Sequence, residues 1–313
     1  MDNIDLTVIV NDVRHEVEDR FERLGLFYRI FARGKTAKSI EHKLSIKEYN
    51  DEKKMQDIVG VRVVLYFIDD VSVVYELLKS KSNFIGESNS EKEINELDKT
   101  ENLSIGKLSD KIFMPQRLNL VFKMNEKQTN NLSMALSAYP NSNLIDNTYE
   151  VQVRTIFSEG WHEVEHDLRY KCKDDKMWGY CMEESRTLNG IYASLETTET
   201  SMRSLFDNMA YKNFKRKDWS AMLRNKLCIR FDDDKLSRNI SDILDVNESR
   251  IGKEFFKFPR AEVFELLKEL PGRMPRKMDN IVFLLNRATI NNQEIRNLEP
   301  LPITDLLDRL PIK

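Results

Sequence analysis

YEVQVRT, residues 149–155, alternates apolar and polar side chains through its middle. In an extended chain successive side chains point to opposite faces, so Val151 and Val153 turn into a core while Glu150, Gln152 and Arg154 project together from the other face. An acid, an amide and a guanidinium aligned on one strand form a polar wall for a metal-bound phosphate ligand. An exposed sheet face with ordinary ion pairs has the same pattern, so the strand alone leaves both readings open. Residues 156–170 read as a helix, so this strand feeds directly into one.

Working outward, residues 11–30 place Val13, Val17, Phe21 and Leu24 at three- and four-residue spacings, the mark of an amphipathic helix. A second helix is expected from 35 to about 49. Residues 61–67, VRVVLYF, are short, β-branched and aromatic, and bounded by Gly60 and Asp69-Asp70, which predicts a buried strand followed by a helix over 70–79. Residues 80–110 turn polar and read as an excursion. A strand over 118–124 and a helix over 126–138 complete the pattern. Helices and strands in this order predict an α+β fold, a mixed β-sheet flanked by helices, whose pairing order is not readable. Another helix is expected over 183–212. Beyond the basic stretch 212–217, helices near 218–228, 235–245, 260–269, 277–288 and 302–310 describe a mostly helical C-terminal domain, giving domains 1–210 and 211–313. Phe255, Phe256, Phe258, Phe264 and the run 279–287 read as its core, and Asp232, Asp233 and Asp234 as a solvated helix start rather than a metal loop.

The chain has 313 residues, enough for a sizeable core without staples. Its 3 cysteines, Cys172, Cys181 and Cys228, share no close paired spacing, so neither a disulfide framework nor a thiolate zinc site is expected. A formal net charge of -3, from 49 basic and 52 acidic side chains, gives no bulk attraction to duplex nucleic acid but leaves room for a local basic pocket. With no leader-like N-terminus and no long apolar run, the expectation is a cytoplasmic protein without a membrane partner.

Three further stretches carry chemistry. In WHEVEHDLRYK, residues 161–171, His162-Glu163-Val164-Glu165-His166 reads HExxH, which on a helix sets two histidines one turn apart, as zinc peptidases require. Two ligands do not complete a catalytic zinc site, and the other histidines, His15 and His42, sit in N-terminal helical context. In RGKTAKSIEHKL, residues 33–44, a helix starting near Lys35 would align Lys35, Ser39 and Lys43 in one stripe, with Arg33 just before it. Cations beside the free N–H groups of a helix start can hold a polyphosphate, although the glycine cradle of a Walker loop is missing. In MQDIVGVRVV, residues 55–64, Asp57 stands at the entrance to a buried strand and Arg62 on it, with Gly60 permitting a tight approach between them. A carboxylate there suits magnesium, which takes one or two carboxylates plus substrate phosphates; a turn-capping aspartate paired with an arginine is the plainer alternative.

In this order, RGKTAKSIEHKL, DIVGVRVVLYFIDDV, YEVQVRT and WHEVEHDLRYK resemble the RelA/SpoT synthetases, the enzymes that make guanosine penta- and tetraphosphate, over roughly residues 15–175. The resemblance implies a nucleotidyltransferase-like synthetase domain. It also accounts for the histidines, since family members carry a Trp, a Glu-His pair and a Tyr-Lys on this helix, matched by Trp161, Glu165-His166 and Tyr170-Lys171; His162 completes HExxH by coincidence. It further implies that Arg33, Lys35 and Lys43 grip the phosphates of ATP with Ser39 assisting, and that Asp57 and Glu150 handle Mg²⁺ and the attacking hydroxyl. Arg62 would organise phosphate or nucleobase contacts, Gln152 and Arg154 would support the pocket, and His166 and Lys171 match motif positions nearby. The implied reaction moves pyrophosphate from ATP to the 3′-hydroxyl of GDP or GTP. Small relatives often form homo-oligomers, a further expectation without a stoichiometry.

One segment departs from the family. Where members carry Asp-Tyr-Ile, Pro-Lys and Gly-Tyr-Arg-Ser-Leu-His, this chain reads DKIFMPQRLNLVF, residues 110–122. Asp110, Ile112 and Pro115 match, Gly-Tyr is absent, and Asn119 stands in the histidine's place. The missing tyrosine is the family's platform for the acceptor guanine, a contact worth about 1–3 kcal/mol by analogy with other base-stacking sites. Phe113 is a candidate replacement. Three readings stay open: a guanosine polyphosphate synthetase with altered contacts, a pyrophosphokinase using another nucleotide or tRNA as acceptor, or a silent nucleotide-binding relative. The C-terminal domain matches no motif and is expected to be a regulatory, oligomerising or partner-binding module.

Overall fold

A computed structural model describes residues 4–46, 48–50, 52–87, 118–170, 180–246 and 250–310. The chain divides into two compact units, Met1–Glu18 with Tyr28–Glu199, and Asp19–Phe27 with Thr200–Lys313. No helix among the described residues is long and apolar enough to cross a membrane.

The first unit is a mixed five-stranded sheet with helices, as the pattern of elements predicts. Its strands are β1 (Tyr28–Gly34), β2 (Val59–Leu65), β3 (Phe84–Glu87), β4 (Leu118–Lys123) and β5 (Thr148–Thr155), in the order β1-β2-β5-β4-β3. Among the described strands β2 and β5 pair in parallel and the other neighbours are antiparallel. Among them run the larger part of α1 (Thr7–Leu24), α2 (Ala37–Ile46), α3 (Asp69–Lys79), α4 (Glu126–Ala135) and α5 (Ile156–Glu165), then a π-turn over His166–Tyr170 and the start of α6 (Met182–Lys215). Alternation sends Val59, Val61 and Val63 of β2, Tyr149, Val151 and Val153 of β5, and Leu120 and Phe122 of β4 into the interior with Val74 and Leu78 of α3. Phe122 stacks on Tyr149 with ring centroids 5.3 Å apart.

β1 corrects the sequence reading, which carried the first helix through residue 30. Gly25 takes φ +68, the left-handed conformation that closes helices, and Leu26 N–H returns to the Phe21 carbonyl at 3.4 Å. The residues beyond it alternate instead: Tyr28 is buried, Arg29, Phe31 and Arg33 are exposed, and Ile30 and Ala32 lie between these extremes.

The second unit is helical. It contains α7 (Trp219–Leu227), α8 (Arg238–Val246), α9 (Arg250–Lys257), α10 (Arg260–Glu269), α11 (Met278–Ala288), α12 (Gln293–Arg296) and α13 (Leu301–Leu307). α9 and α12 were not anticipated from the sequence. α11 is buried on nearly every face, and Phe255 and Phe264 are core residues, whereas Phe256 and Phe258 are half-buried. α9 lies close against α7: a Cβ on Gly252 would come within 2.3 Å of the Trp219 ring. The three aspartates do not begin a helix. Asp232 pairs with Arg276 at 2.9 Å, Asp233 accepts the N–H of Met278 at the start of α11, and Asp234 is exposed.

Within this unit Arg287 and Glu299 form a buried pair through two 2.6–2.9 Å hydrogen bonds. Glu299→Ala strands part of that guanidinium away from water, with the half-exposed Asp308 as remaining partner. The expected loss is about 2–3 kcal/mol, read as a lower midpoint in urea unfolding with an unaltered slope.

Candidate functional site

The register of the sheet assembles the site. Arg33, Gly60, Glu150 and Val121 stand side by side across β1, β2, β5 and β4, and the next row along the same face is Phe31, Arg62, Gln152 and Asn119. Residues separated by up to 121 positions, Phe31 and Gln152, thus meet on one surface. This face carries the three polar residues of β5, as alternation requires.

Two clefts open there. One, of about 620 Å³, is lined by Phe31, Arg33, Lys35, Arg62 and Gln152 from β1, β2, β5 and the β1–α2 turn, and by Glu159, Glu163 and His166 from α5 and the π-turn. The other, of about 960 Å³, is lined by Lys43, Tyr49, Lys53 and Lys54, by the acids Glu48 and Glu52 of the same segment, and by Val121 and Asp146. Asp57 and Glu150 line both, and among the described residues they alone do so.

Asp57 precedes β2 and is gripped through one oxygen. Its Oδ2 lies 2.6 Å from Lys43 Nζ and 2.9 Å from Lys35 Nζ. Burial works against the charge, but the two ammonium groups outweigh it and hold the carboxyl below the usual carboxylate range. Its other oxygen, Oδ1, is buried without a hydrogen-bond partner among the described residues. A buried carboxylate oxygen left open, with Glu150 lining the same clefts, is a donor set that fits Mg²⁺, whose remaining positions substrate phosphates and water fill. Among the described residues no three His, Cys, Asp or Glu side chains gather as a metal site by themselves.

Glu150 is held from the side. Gln152 Nε2 donates to its Oε1 at 3.2 Å while Gln152 Oε1 accepts from Arg62 Nε at 3.2 Å. Arg62 in turn donates to Glu159 Oε1 at 2.7 Å and to Glu163. This chain fixes the amide orientation that faces Glu150. Burial pushes the Glu150 carboxyl up, and the charge of Asp57 adds to the shift, while the Gln152 amide and the two lysines pull it back only in part.

Residues 32–175 match the model of the family described as the region found in RelA/SpoT proteins. Residues 32–175 are thus similar to the RelA/SpoT region. Similar solved structures include small alarmone synthetase 2 from Bacillus subtilis, at 19% identity over 63% of this chain and 96% of that one, TM-score 0.43. A GTP pyrophosphokinase family protein from Streptococcus pneumoniae is similar at 18% identity over 64% and 89%, TM-score 0.41. Small alarmone synthetase 1 from Bacillus subtilis follows at 17% identity over 64% and 92%, TM-score 0.42. A search of curated proteins gave no match.

The first unit places the remaining sequence candidates unevenly. Arg33 and Lys35 enter the first cleft and Lys43 the second, so the expected stripe is split between them. The reason is local: α2 begins at Ala37, after Lys35, whose backbone N–H is tied to Ile58 O at 2.8 Å. Ser39 lines neither cleft; its backbone N–H and hydroxyl both meet Thr36 Oγ1, at 3.3 and 2.9 Å, at the helix start. Arg154 is buried beside Asn119, 3.4 Å from its Oδ1, one pleat beyond the cleft-lining residues. His166 lines the first cleft, next to Asp167 at 3.2 Å. Lys171 and the 110–117 part of the divergent segment, Phe113 included, lie outside the described residues. Gly60 is not a point of tight approach, since a Cβ there would meet nothing within 4 Å. Trp161 anchors α5 to α6 through an Nε1–H bond to Leu188 O at 2.8 Å.

The sequence reading missed Phe31, Tyr49, Lys53, Lys54 and Glu159, and knew Glu163 only as the acid of HExxH. Glu159 and Glu163 are one turn apart on α5, a spacing that could have marked them as joint partners for a cation on the preceding sheet. Their placement on Arg62 gives Glu163 a structural occupation unrelated to zinc.

The opposed shifts of the two carboxylates can be tested without magnesium. Asp57→Asn deletes a charge that raises Glu150 and releases two lysines that lower it, so the Glu150 midpoint should fall. It should stay above the ordinary 4.5 because burial, the largest cause, remains. Carbon NMR titration of labelled glutamate in EDTA reads this directly, and an unmoved midpoint would show that the two groups do not interact.

Proposed function

We propose that the RelA/SpoT region transfers the β,γ-diphosphate of ATP, with Mg²⁺, to the 3′-hydroxyl of GDP or GTP, giving guanosine tetra- or pentaphosphate and AMP. The observation that carries this reading is that one carboxylate pair lines two clefts. A transfer between two bound nucleotides needs such a place, where donor phosphorus and acceptor oxygen meet in line.

The first cleft suits the donor. Arg33 and Lys35 offer their charges to the polyphosphate, and Arg62 offers its guanidinium as Glu159 and Glu163 exchange it for phosphate oxygens. The second cleft suits the acceptor, with Lys43, Lys53 and Lys54 for its phosphates. Glu150 takes the proton of the 3′-hydroxyl; its raised affinity for protons makes it a better base than an ordinary carboxylate. The acceptor oxygen bonds to the β-phosphorus, the bond from that phosphorus to the α,β-bridging oxygen breaks, and AMP departs with the electron pair. Asp57 and Glu150 would hold Mg²⁺, which supplies charge neutralisation on the phosphate oxygens. Gln152, fixed by Arg62, keeps Glu150 aimed.

Incubating the full chain with Mg²⁺, γ-labelled ATP and, separately, GDP, GTP, other nucleotides and tRNA tests the proposal. Label should move to GDP or GTP with release of AMP. Movement only to tRNA or to another nucleotide would establish transfer and replace the acceptor, and no movement to any of them would end the enzyme reading.

A further inference from the structure

The divergent segment removes the family's stacking tyrosine, yet each cleft already holds one phenyl or phenol ring among its described lining residues: Tyr49 in the second, Phe31 in the first. Tyr49 follows α2 and is half-exposed in the wall that also carries Lys53 and Lys54. Phe31 is 57% exposed, on the strand face where neighbouring positions are arginines. Its phenyl face is open to solvent inside a cleft that also presents Arg33 and Arg62, so a base stacked on it would meet an aromatic face with guanidinium groups beside it.

We propose that Tyr49 is the platform for the acceptor's base and Phe31 the corresponding platform for the donor's, so that the aromatic ring which residues 110–122 do not carry at the family's position is supplied by the segment that follows α2. This rests on the pyrophosphate-transfer reading and assigns each nucleotide to one cleft. The charges leave each base a definite end to occupy. A donor whose phosphates reach Lys35 and Asp57 extends its base along β1 past Arg33 towards Phe31. An acceptor whose ribose presents its hydroxyl to Glu150 extends across Lys43, Lys53 and Lys54 towards Tyr49. Stacking on a π-face tolerates any base, so the two rings position nucleotides without choosing between purines.

Steady-state kinetics on the full chain separate the two assignments. Tyr49→Ala should raise the KM for the acceptor about 5- to 100-fold with the KM for ATP within about twofold, and Tyr49→Phe should restore it. Phe31→Ala should give the mirror image. Both side chains reach solvent, and melting curves of the variants check that neither change unfolds the protein. If the unaltered chain transfers pyrophosphate while Tyr49→Ala leaves the acceptor KM unmoved, the platform assignment is overturned and the transfer reading stands. If the unaltered chain transfers to no acceptor, the transfer reading falls, and calorimetric titration with GDP and with ATP decides the assignment: GDP affinity lost only in Tyr49→Ala supports it, and equal affinities in both variants overturn it.

Discussion

Glu150→Gln is expected to lower the rate of pyrophosphate transfer by about 10²- to 10⁴-fold, the range for removing a positioned general base. Glutamine keeps the shape and still offers an amide oxygen to Gln152 Nε2, so the geometry of the wall survives. On the proposed reading ATP is held by Arg33, Lys35 and Arg62, so its dissociation constant should stay within about threefold in the same buffer. Stability supplies a further check with a definite sign. The folded pKa of Glu150 is raised, so its charge opposes folding at pH values above that midpoint and the stability it costs returns on acidification. Glutamine carries no such charge, and the variant should melt at the same temperature as the unaltered chain or higher at neutral pH. Single-turnover transfer, ATP calorimetry and a melting curve together decide the role: full turnover would reject Glu150 as base, and a lower melting temperature would make it a structural residue.

The strand that bears Glu150 was legible because alternation is local: β5 needs only its own seven or eight residues to reveal which side chains share a face. β2 was legible for another local reason, its short β-branched and aromatic run, and the mixed sheet with a helical second unit followed from the order of elements. Pairing was not legible, because nothing in residues 57–65 states that they will lie beside residues 148–155 and not elsewhere. β1 was hidden by the strength of the heptad-like spacing before it, since Gly25 stops the helix by a left-handed turn whose force is invisible to a periodicity count. Lys35 and Lys43 were assigned to one stripe because the helix was started two residues early; with α2 beginning at Ala37, Lys35 lies before the helix and Lys43 on it, and both reach the same oxygen of Asp57. Tyr49 and Phe31 could not be singled out at all. Their significance lies in what stands opposite them, and only the fold supplies that.

Asp57→Asn should produce a combination that simple loss of a metal ligand does not. Without nucleotide, Asp57 Oδ2 occupies both ammonium groups, so Lys35 and Lys43 are spent on an internal acid. Asparagine leaves them facing a neutral amide. Metal-free ATP, which carries its full negative charge, should then bind about tenfold more tightly than to the unaltered chain, a shift of about 1.4 kcal/mol. The lone oxygen Oδ1 that fits Mg²⁺ loses its charge in the same substitution, so added Mg²⁺ should no longer promote transfer, and turnover should fall by about 10³-fold. Stability moves in a predictable window. The folded pKa of Asp57 is depressed, so its contribution is present above the unfolded value near 3.8 and disappears as pH falls through the folded one. The variant should therefore melt lower at neutral pH and converge with the unaltered chain in acid, and ATP in EDTA should restore more of its melting temperature than it adds to the unaltered chain. Weaker binding of metal-free ATP would show that the two lysines are not held in check by Asp57, and an unchanged dependence of turnover on Mg²⁺ would remove Asp57 from the metal site.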